Sequence, residues 1–308
     1  MMKYFSKYVN FDSKTQIKLE KNKRETFCGR IYGQKMLYDL PMITKIHLHT
    51  QIDSNTLSYA NYMLKAAYHF ANKKSLLLTT VHCLDASMKE KVDTQHNVSL
   101  TKSVGGSTGH GVAIMDALAM TNDGDIHVIA DSDTVIVKQG WDDILRKKFF
   151  DENFDIVGGT YEDVGGFSSG TGKVQTYKKI PTLTWCALSP RNDWRDLNVL
   201  PNKSHMIQIN TDELSVTYNL PKGYVVFGEV GYQIPQYLRD KNLSYEGWRQ
   251  IKPTSSESII LSGLCDYHEE FHVDNEPFFV HHRGSLRHPF RLNKMSNDFY
   301  DRLDLLIK

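Results

Sequence analysis

The chain is predicted to fold as an α/β sandwich, with helices covering both faces of a mostly parallel central sheet. Two observations predict this. Between residues 43 and 159, apolar strand-like segments alternate with stretches of helical periodicity. One of the apolar segments, "IHVIADSD" (126–133), ends on two carboxylates separated by one residue. Open α/β sheets bind their ligands at strand ends of this kind.

The elements follow in order. Residues 43–50 read as a strand and 57–70 as an amphipathic helix. "SLLLTTVHCLD" (75–85) and "NVSLT" (97–101) are the second and third strands. "GHGVAIMDALAM" (109–120) opens on glycines and continues as a helix, and residues 126–130 form the fourth strand. Residues 141–150 are a helix, and "FDIVGG" (154–159) is the fifth strand. The rhythm then changes. "YEDVGGFSSGTGK" (161–173) has the Gly and Ser content of a loop. β-like pieces follow at 181–189, 206–210, 214–220 and 223–227, and a helix over 229–242 is interrupted by Pro235. The chain thus divides into an irregular basic extension (1–40), an orderly half (41–160) and a less regular half (161–308), the last two forming one continuous domain.

Bulk composition excludes several classes. Of 308 residues, 40% are hydrophobic and 24% charged, with a formal net charge of +1, as in ordinary globular proteins. No apolar run approaches the ~18 residues of a membrane helix. The first thirty residues lack the apolar centre of a signal peptide. Cys28, Cys83, Cys186 and Cys265 are scattered without a C-x-x-C pair, which suits free thiols in a reducing compartment. The expected location is cytoplasmic, or the host cytoplasm for a viral source. Basic residues cluster over 1–35, either as a solvated face or as an arm for a polyanion.

Two carboxylates closing an apolar strand are costly unless solvent or a cation neutralises them. Mg²⁺ and Mn²⁺ accept one or two carboxylates and complete their shells with phosphate oxygens. Asp131-Ser132-Asp133 therefore fits a metal–diphosphate site, and capping of a following helix fits it as well.

The surrounding order of motifs resembles the nucleotide-sugar-binding half of GT-A glycosyltransferases, particularly the inverting family 2 enzymes. The residues that carry it are the helix Ala113–Leu118, the strand ending in Asp131-Ser132-Asp133, and the Gly140-Trp141 helix start. The family's Asn and Gly in the first helix are replaced here by Met115 and Ala117. The resemblance spans roughly residues 43–160, and the remainder only through isolated motifs. It implies a GT-A-like α/β/α fold, a nucleoside diphosphate sugar donor (UDP by preference) and Mn²⁺ or Mg²⁺. Carried over by position, it implies that Asp133 and Asp131 meet metal and donor. Asp85 would pair with the nucleobase, and His49 and Thr50 would lie beside it.

Sugar transfer also needs a base for the acceptor hydroxyl and stabilisation of the departing diphosphate. In "YVVFGEVGYQI", the resemblance implies that Glu229 is the base, with the family's following acid replaced by Val230. A helix-start glutamate at the positive end of the helix dipole would look the same. The tail "FFVHHRGSLRHPFR" resembles the family's C-terminal element that closes over the donor. It implies His281 as a third metal ligand, with His282 open in its place, and Arg283, Ser285 and Arg287 on the diphosphate. Trp185 and Trp194 are candidates for stacking on acceptor rings.

The acceptor is expected to be a glycan. The basic arm, with Arg283, Arg287 and Arg291, leaves open hydroxymethylated bases in DNA, the acceptors of phage-type enzymes of this kind. A competing motif is His268-Glu269-Glu270-Phe271-His272, a formal H-E-x-x-H that on a helix would hold Zn²⁺ in a metallopeptidase. A relative that binds sugar nucleotides without catalysis is the remaining alternative, motivated by Met115 and Val230.

Overall fold

The computed structural model describes residues 44–92, 95–102, 106–121, 124–161, 167–168, 173–174, 179–265, 268–282 and 289–307. The basic extension over 1–40, with its arm at 1–35, lies outside the described residues, and so do Arg283, Ser285 and Arg287.

Thr44–Lys308 form one compact unit. Its elements are β1 (Ile46–Ile52), α1 (Leu57–Phe70), β2 (Leu77–Cys83), β3 (Asn97–Leu100), α2 (Gly106–Leu118), β4 (Ile126–Ala130) and β5 (Thr134–Ile136). α3 (Trp141–Arg146), β6 (Ile156–Thr160), a small ribbon of β7 (Phe167–Ser168) with β8 (Lys173–Val174), and β9 (Trp185–Leu188) follow. β10 (Asn202–Gln208), α4 (Asp212–Tyr218), β11 (Val225–Gly228), α5 (Ile234–Asp240), β12 (Tyr245–Ile251), β13 (His268–Val273), β14 (Glu276–His282) and α6 (Pro289–Ile307) complete it.

The main sheet has the order β3-β2-β1-β4-β9-β6-β12-β13-β14-β5. β1–β4, β6, β12 and β14 run one way; β9, β13 and β5 run the other. Most of the strands are thus parallel in direction, and the architecture is an α/β sandwich around a mostly parallel central sheet, as expected from the sequence. Both faces are packed, which is why β4 reads as an unbroken buried run. Ile126 and Val128 pack with α1 (Met63, Leu64, Ala67), α3 (Trp141, Leu145) and α6 (Phe299, Leu303). Ile129 points the other way, into a core with Ile114 and Leu118 of α2, Ile234 and Leu238 of α5, and Trp194.

The sheet cannot be flat. β4 and β5 are fourth and tenth in the order, yet only Asp131, Ser132 and Asp133 separate them in the chain. Six flat strand spacings would span ~29 Å, whereas the four Cα steps from Ala130 to Thr134 reach at most ~15 Å. The far end of the sheet therefore curls back over the carboxyl end of β4. In doing so it sets His281 of β14 opposite Thr134 of β5.

Three local expectations are corrected. Residues 214–220, expected as a β-like piece, lie mostly in helix α4. The Thr211 side chain caps it by accepting from Leu214 N, Asp212 and Glu213 occupy the first turn, and Asn219 closes it in the left-handed region. Pro235 does not interrupt a helix over 229–242 but lies in the first turn of α5, where its missing N–H costs nothing. The H-E-x-x-H segment is strand β13, not a helix.

Candidate active site at the end of strand four

The acids sit where β4 leaves the sheet. Thr134 holds this turn closed: its N–H and its hydroxyl donate to the Asp131 carbonyl at 3.1 and 2.7 Å. The Asp131 N–H donates to the Thr184 carbonyl at 2.8 Å, anchoring the turn to the segment before β9. Ser132 is buried between the two acids. Both carboxylates remain partly exposed, whereas His281 is buried.

Ligand atoms of Asp131, Asp133 and His281 all lie within 4.8 Å of one another. The His281 Nε2 faces the Asp133 carboxylate at 3.5 Å. Its other nitrogen, Nδ1, meets the Glu269 carboxylate and the Tyr161 hydroxyl, each at 3.2 Å. Glu269 is fully buried, and its second oxygen accepts from Gln250 Nε2 at 2.6 Å and Lys252 Nζ at 3.2 Å. A carboxylate on the far nitrogen of an imidazole fixes the ring and its tautomer, the arrangement that commonly stands behind a metal-bound histidine. Burial opposes protonation of His281, but Asp133 and then Glu269 outweigh it and hold the imidazolium up to about 10.

Asp131 has two further partners: Gln51 of β1 donates to it at 2.8 Å, and His110 of α2 lies 3.1 Å away. His110 is likewise raised, because Asp131 overcomes the effect of burial. Two carboxylates and an imidazole, with that imidazole oriented from behind, make a donor set that suits Mn²⁺ and, less well, Mg²⁺. His282, the neighbour left open from sequence, turns to the other face. Its ring meets His268 at 3.1 Å and stacks near Phe299.

The remaining sequence candidates are scattered around this point. Asp85 is exposed just beyond the carboxyl end of β2, and its side chain accepts from Ser87 N at 2.9 Å. Glu229 is exposed in the turn after β11. Two residues on, Gly231 packs against Leu183, the neighbour of the Thr184 that anchors Asp131. His49 and Thr50 are 1% exposed; His49 is enclosed by other imidazoles. Trp185 packs among Trp248, Phe278 and Phe279, and Trp194 donates its indole N–H to the Ser189 carbonyl, so both rings are core side chains.

The zinc-peptidase reading is corrected here. On a strand, His268 and His272 stand four residues apart, roughly 13 Å along the chain, rather than one helical turn. His272 bonds Glu270 at 2.8 Å, and His268 meets His282. Glu269, the general base in that reading, serves His281 instead. Sequence reasoning missed this role along with those of Gln51, His110 and Tyr161. Part of a signal was present for Glu269: Asp274-Asn275 have φ of 51° and 65°, a two-residue hairpin turn that folds β13 onto β14. The turn alone would set Glu269 opposite Val280, and a register shift between Phe271 and His272 is what brings it opposite His281.

No family model matches the chain, and no curated protein does. Solved structures that it resembles include residues 1–349 of TarS from S. aureus, with a TM-score of 0.36 and 15% identity over 66% of this chain and 60% of that one. The bifunctional IspDF from Campylobacter jejuni gives 0.33 and 13% over 48% and 42%. The 4-diphosphocytidyl-2C-methyl-D-erythritol synthase from Anaerococcus prevotii DSM 20548 gives 0.32 and 10% over 48% and 71%. The first two matches take in less than two thirds of those proteins' own lengths. At this level of similarity, the residues of the site and not the neighbours carry a reading of function. Among the described residues, no helix is long and apolar enough to cross a membrane.

Proposed function

We propose that the chain is a metal-dependent glycosyltransferase of the inverting GT-A type, moving a sugar from a nucleoside diphosphate donor to a saccharide hydroxyl. The observation that carries this reading is the convergence of Asp131, Asp133 and His281 at the carboxyl end of β4. Both acids there remain partly exposed, so a diphosphate can reach them.

Asp131, Asp133 and His281 would hold Mn²⁺ or Mg²⁺, which supplies Lewis-acid stabilisation to the departing diphosphate. Glu269 and Tyr161 keep the His281 ring turned so that Nε2 faces the acids. Asp85 accepts from the nucleobase in this reading, a role its exposure beyond the carboxyl end of β2 allows. Glu229, exposed on a turn tied to the same end of the sheet, takes the proton from the acceptor oxygen as it attacks the anomeric carbon from the face opposite the leaving group. Inversion follows from that single displacement. A uridine diphosphate donor is the preferred case. His49, Trp185 and Trp194, being enclosed, have no place in this scheme.

The test is a panel of nucleoside diphosphate sugars with Mn²⁺, followed by mass spectrometry of the products with saccharide acceptors. Asp133→Ala is expected to abolish donor binding, and Glu229→Gln to retain binding while stopping transfer. Normal transfer by Glu229→Gln would remove the base assignment. Undiminished donor binding by Asp133→Ala would remove the whole reading.

A further inference from the structure

On the face of the sheet that carries Ile129, β1, β2 and β4 place four histidines side by side. His47, His49, His82 and His127 are 5%, 1%, 1% and 1% exposed. A parallel sheet buried on both faces normally fills such positions with Val, Ile or Leu. Here His49 Nδ1 lies 3.2 Å from His82 Nε2, and His49 Nε2 lies 2.9 Å from His127 Nδ1. The His47 ring stacks on His49 with centroids 4.1 Å apart, and its Nε2 meets the Thr80 hydroxyl at 2.7 Å. One ligand nitrogen from each of His47, His49 and His127 falls within 4.8 Å of the others.

We infer that His47, His49 and His127, with His82 beside them, form a second metal site that takes one late first-row transition ion of the cobalt-to-zinc range. Two nitrogens bound to one tetrahedral ion at ~2.0–2.1 Å stand ~3.3 Å apart, close to the 2.9 Å between His49 Nε2 and His127 Nδ1, while His82 meets the other nitrogen of His49 and stands beside that set. Hydrogen bonds between imidazoles account for only part of the cluster, since the buried His82 Nδ1 meets no partner among the described residues. The donor set is nitrogen alone. That selects against Mg²⁺ and Ca²⁺, which need oxygen ligands, and in favour of ions that prefer imidazole.

Burial, followed by the neighbouring imidazoles, holds His49 well below its ordinary value, and burial with His47 brings His82 down to about 4, so these two rings are neutral at pH 7. The two sites share no residue: His127 precedes Asp131 by four residues, roughly 13 Å along the chain, and His49 pairs with Ile129, two residues before Asp131.

The experiment uses the Asp133→Ala chain, in which the acid site is disabled. The protein is incubated with Co²⁺, freed of excess by gel filtration, and examined for bound cobalt and its visible spectrum. The expected result is one retained Co²⁺ per chain, with the intense absorption of four-coordinate cobalt, bleached by added Zn²⁺. Adding His127→Leu is expected to abolish retention while circular dichroism shows the fold intact. Elution of Asp133→Ala without cobalt overturns the inference, and that result stands whether or not the double variant folds. Equal cobalt in a folded double variant overturns it too.

Discussion

Glutamine at position 269 would preserve the shape of the glutamate and change only its charge and one donor. The native carboxylate accepts on both sides, from His281 Nδ1 through one oxygen and from Gln250 and Lys252 through the other. A carboxamide cannot do both. Gln250 Nε2 and Lys252 Nζ are donors and claim its oxygen, which turns its NH₂ toward His281. Nδ1 must then become an acceptor, and the ring proton moves to Nε2, the nitrogen aimed at Asp133. That tautomer cannot ligate. Loss of such an outer partner ordinarily lowers metal affinity by ~10–100-fold, and the forced tautomer puts Glu269→Gln near the upper end, about 2–3 kcal/mol. Calorimetric titration of Mn²⁺ into the wild-type and Glu269→Gln chains measures it, with melting curves to confirm a common fold. An affinity within threefold of wild type in a folded variant would refute the assignment of Glu269 as the residue that positions His281.

Three further outcomes are expected. The Asp133→Ala chain should lose Mn²⁺ binding outright, since it removes one of two acid ligands and the carboxylate facing His281 Nε2; equilibrium dialysis with Mn²⁺ is the check. Acid should destabilise the metal-free protein between pH 6.5 and 4. His82 is held down to about 4 in the fold, so in that window the unfolded chain binds the extra proton and stability falls as the pH falls. The loss from His82 is about 3 kcal/mol across the window, and urea denaturation at pH 7 and pH 4.5 should show it reduced in His82→Asn. Gly158→Ala should cost about 1–3 kcal/mol by overpacking, because a Cβ there would stand 2.5 Å from the Trp185 carbonyl oxygen. Urea midpoints at pH 7.5 test that.

What the sequence made legible was whatever is written locally. The strand-to-helix alternation from β1 to β6, the glycine-led helix α2 and the acids closing β4 are contiguous patterns of period 2 or 3.6. Residues 214–220 misled because Val216, Thr217 and Tyr218 favour strands by composition, while the Thr211 cap that decides for a helix lies before them. In β13 all six residues are buried, so the alternation that marks a strand was absent, and a helical zinc motif could be read across it. The histidine cluster gave no local signal at all. His49 is 33 residues from His82 and 78 from His127, and only sheet register brings them together. The Glu269–His281 pair needed both the hairpin about Asp274-Asn275, which the sequence signals, and the one-residue register shift at Phe271/His272, which it does not.

The return of the sheet upon itself has a mechanical corollary for the acids. Asp131, Ser132 and Asp133 are the whole tether between a strand locked at the middle of the ladder and another locked at its rim. Lengthening the tether by a residue would throw β5 out of step with β14, and shortening it would pull Thr134 away from the carbonyl it clamps. The interval between the two carboxylates is thus dictated by the span they bridge as much as by the ion they would grip, and at this place architecture and chemistry admit the same length.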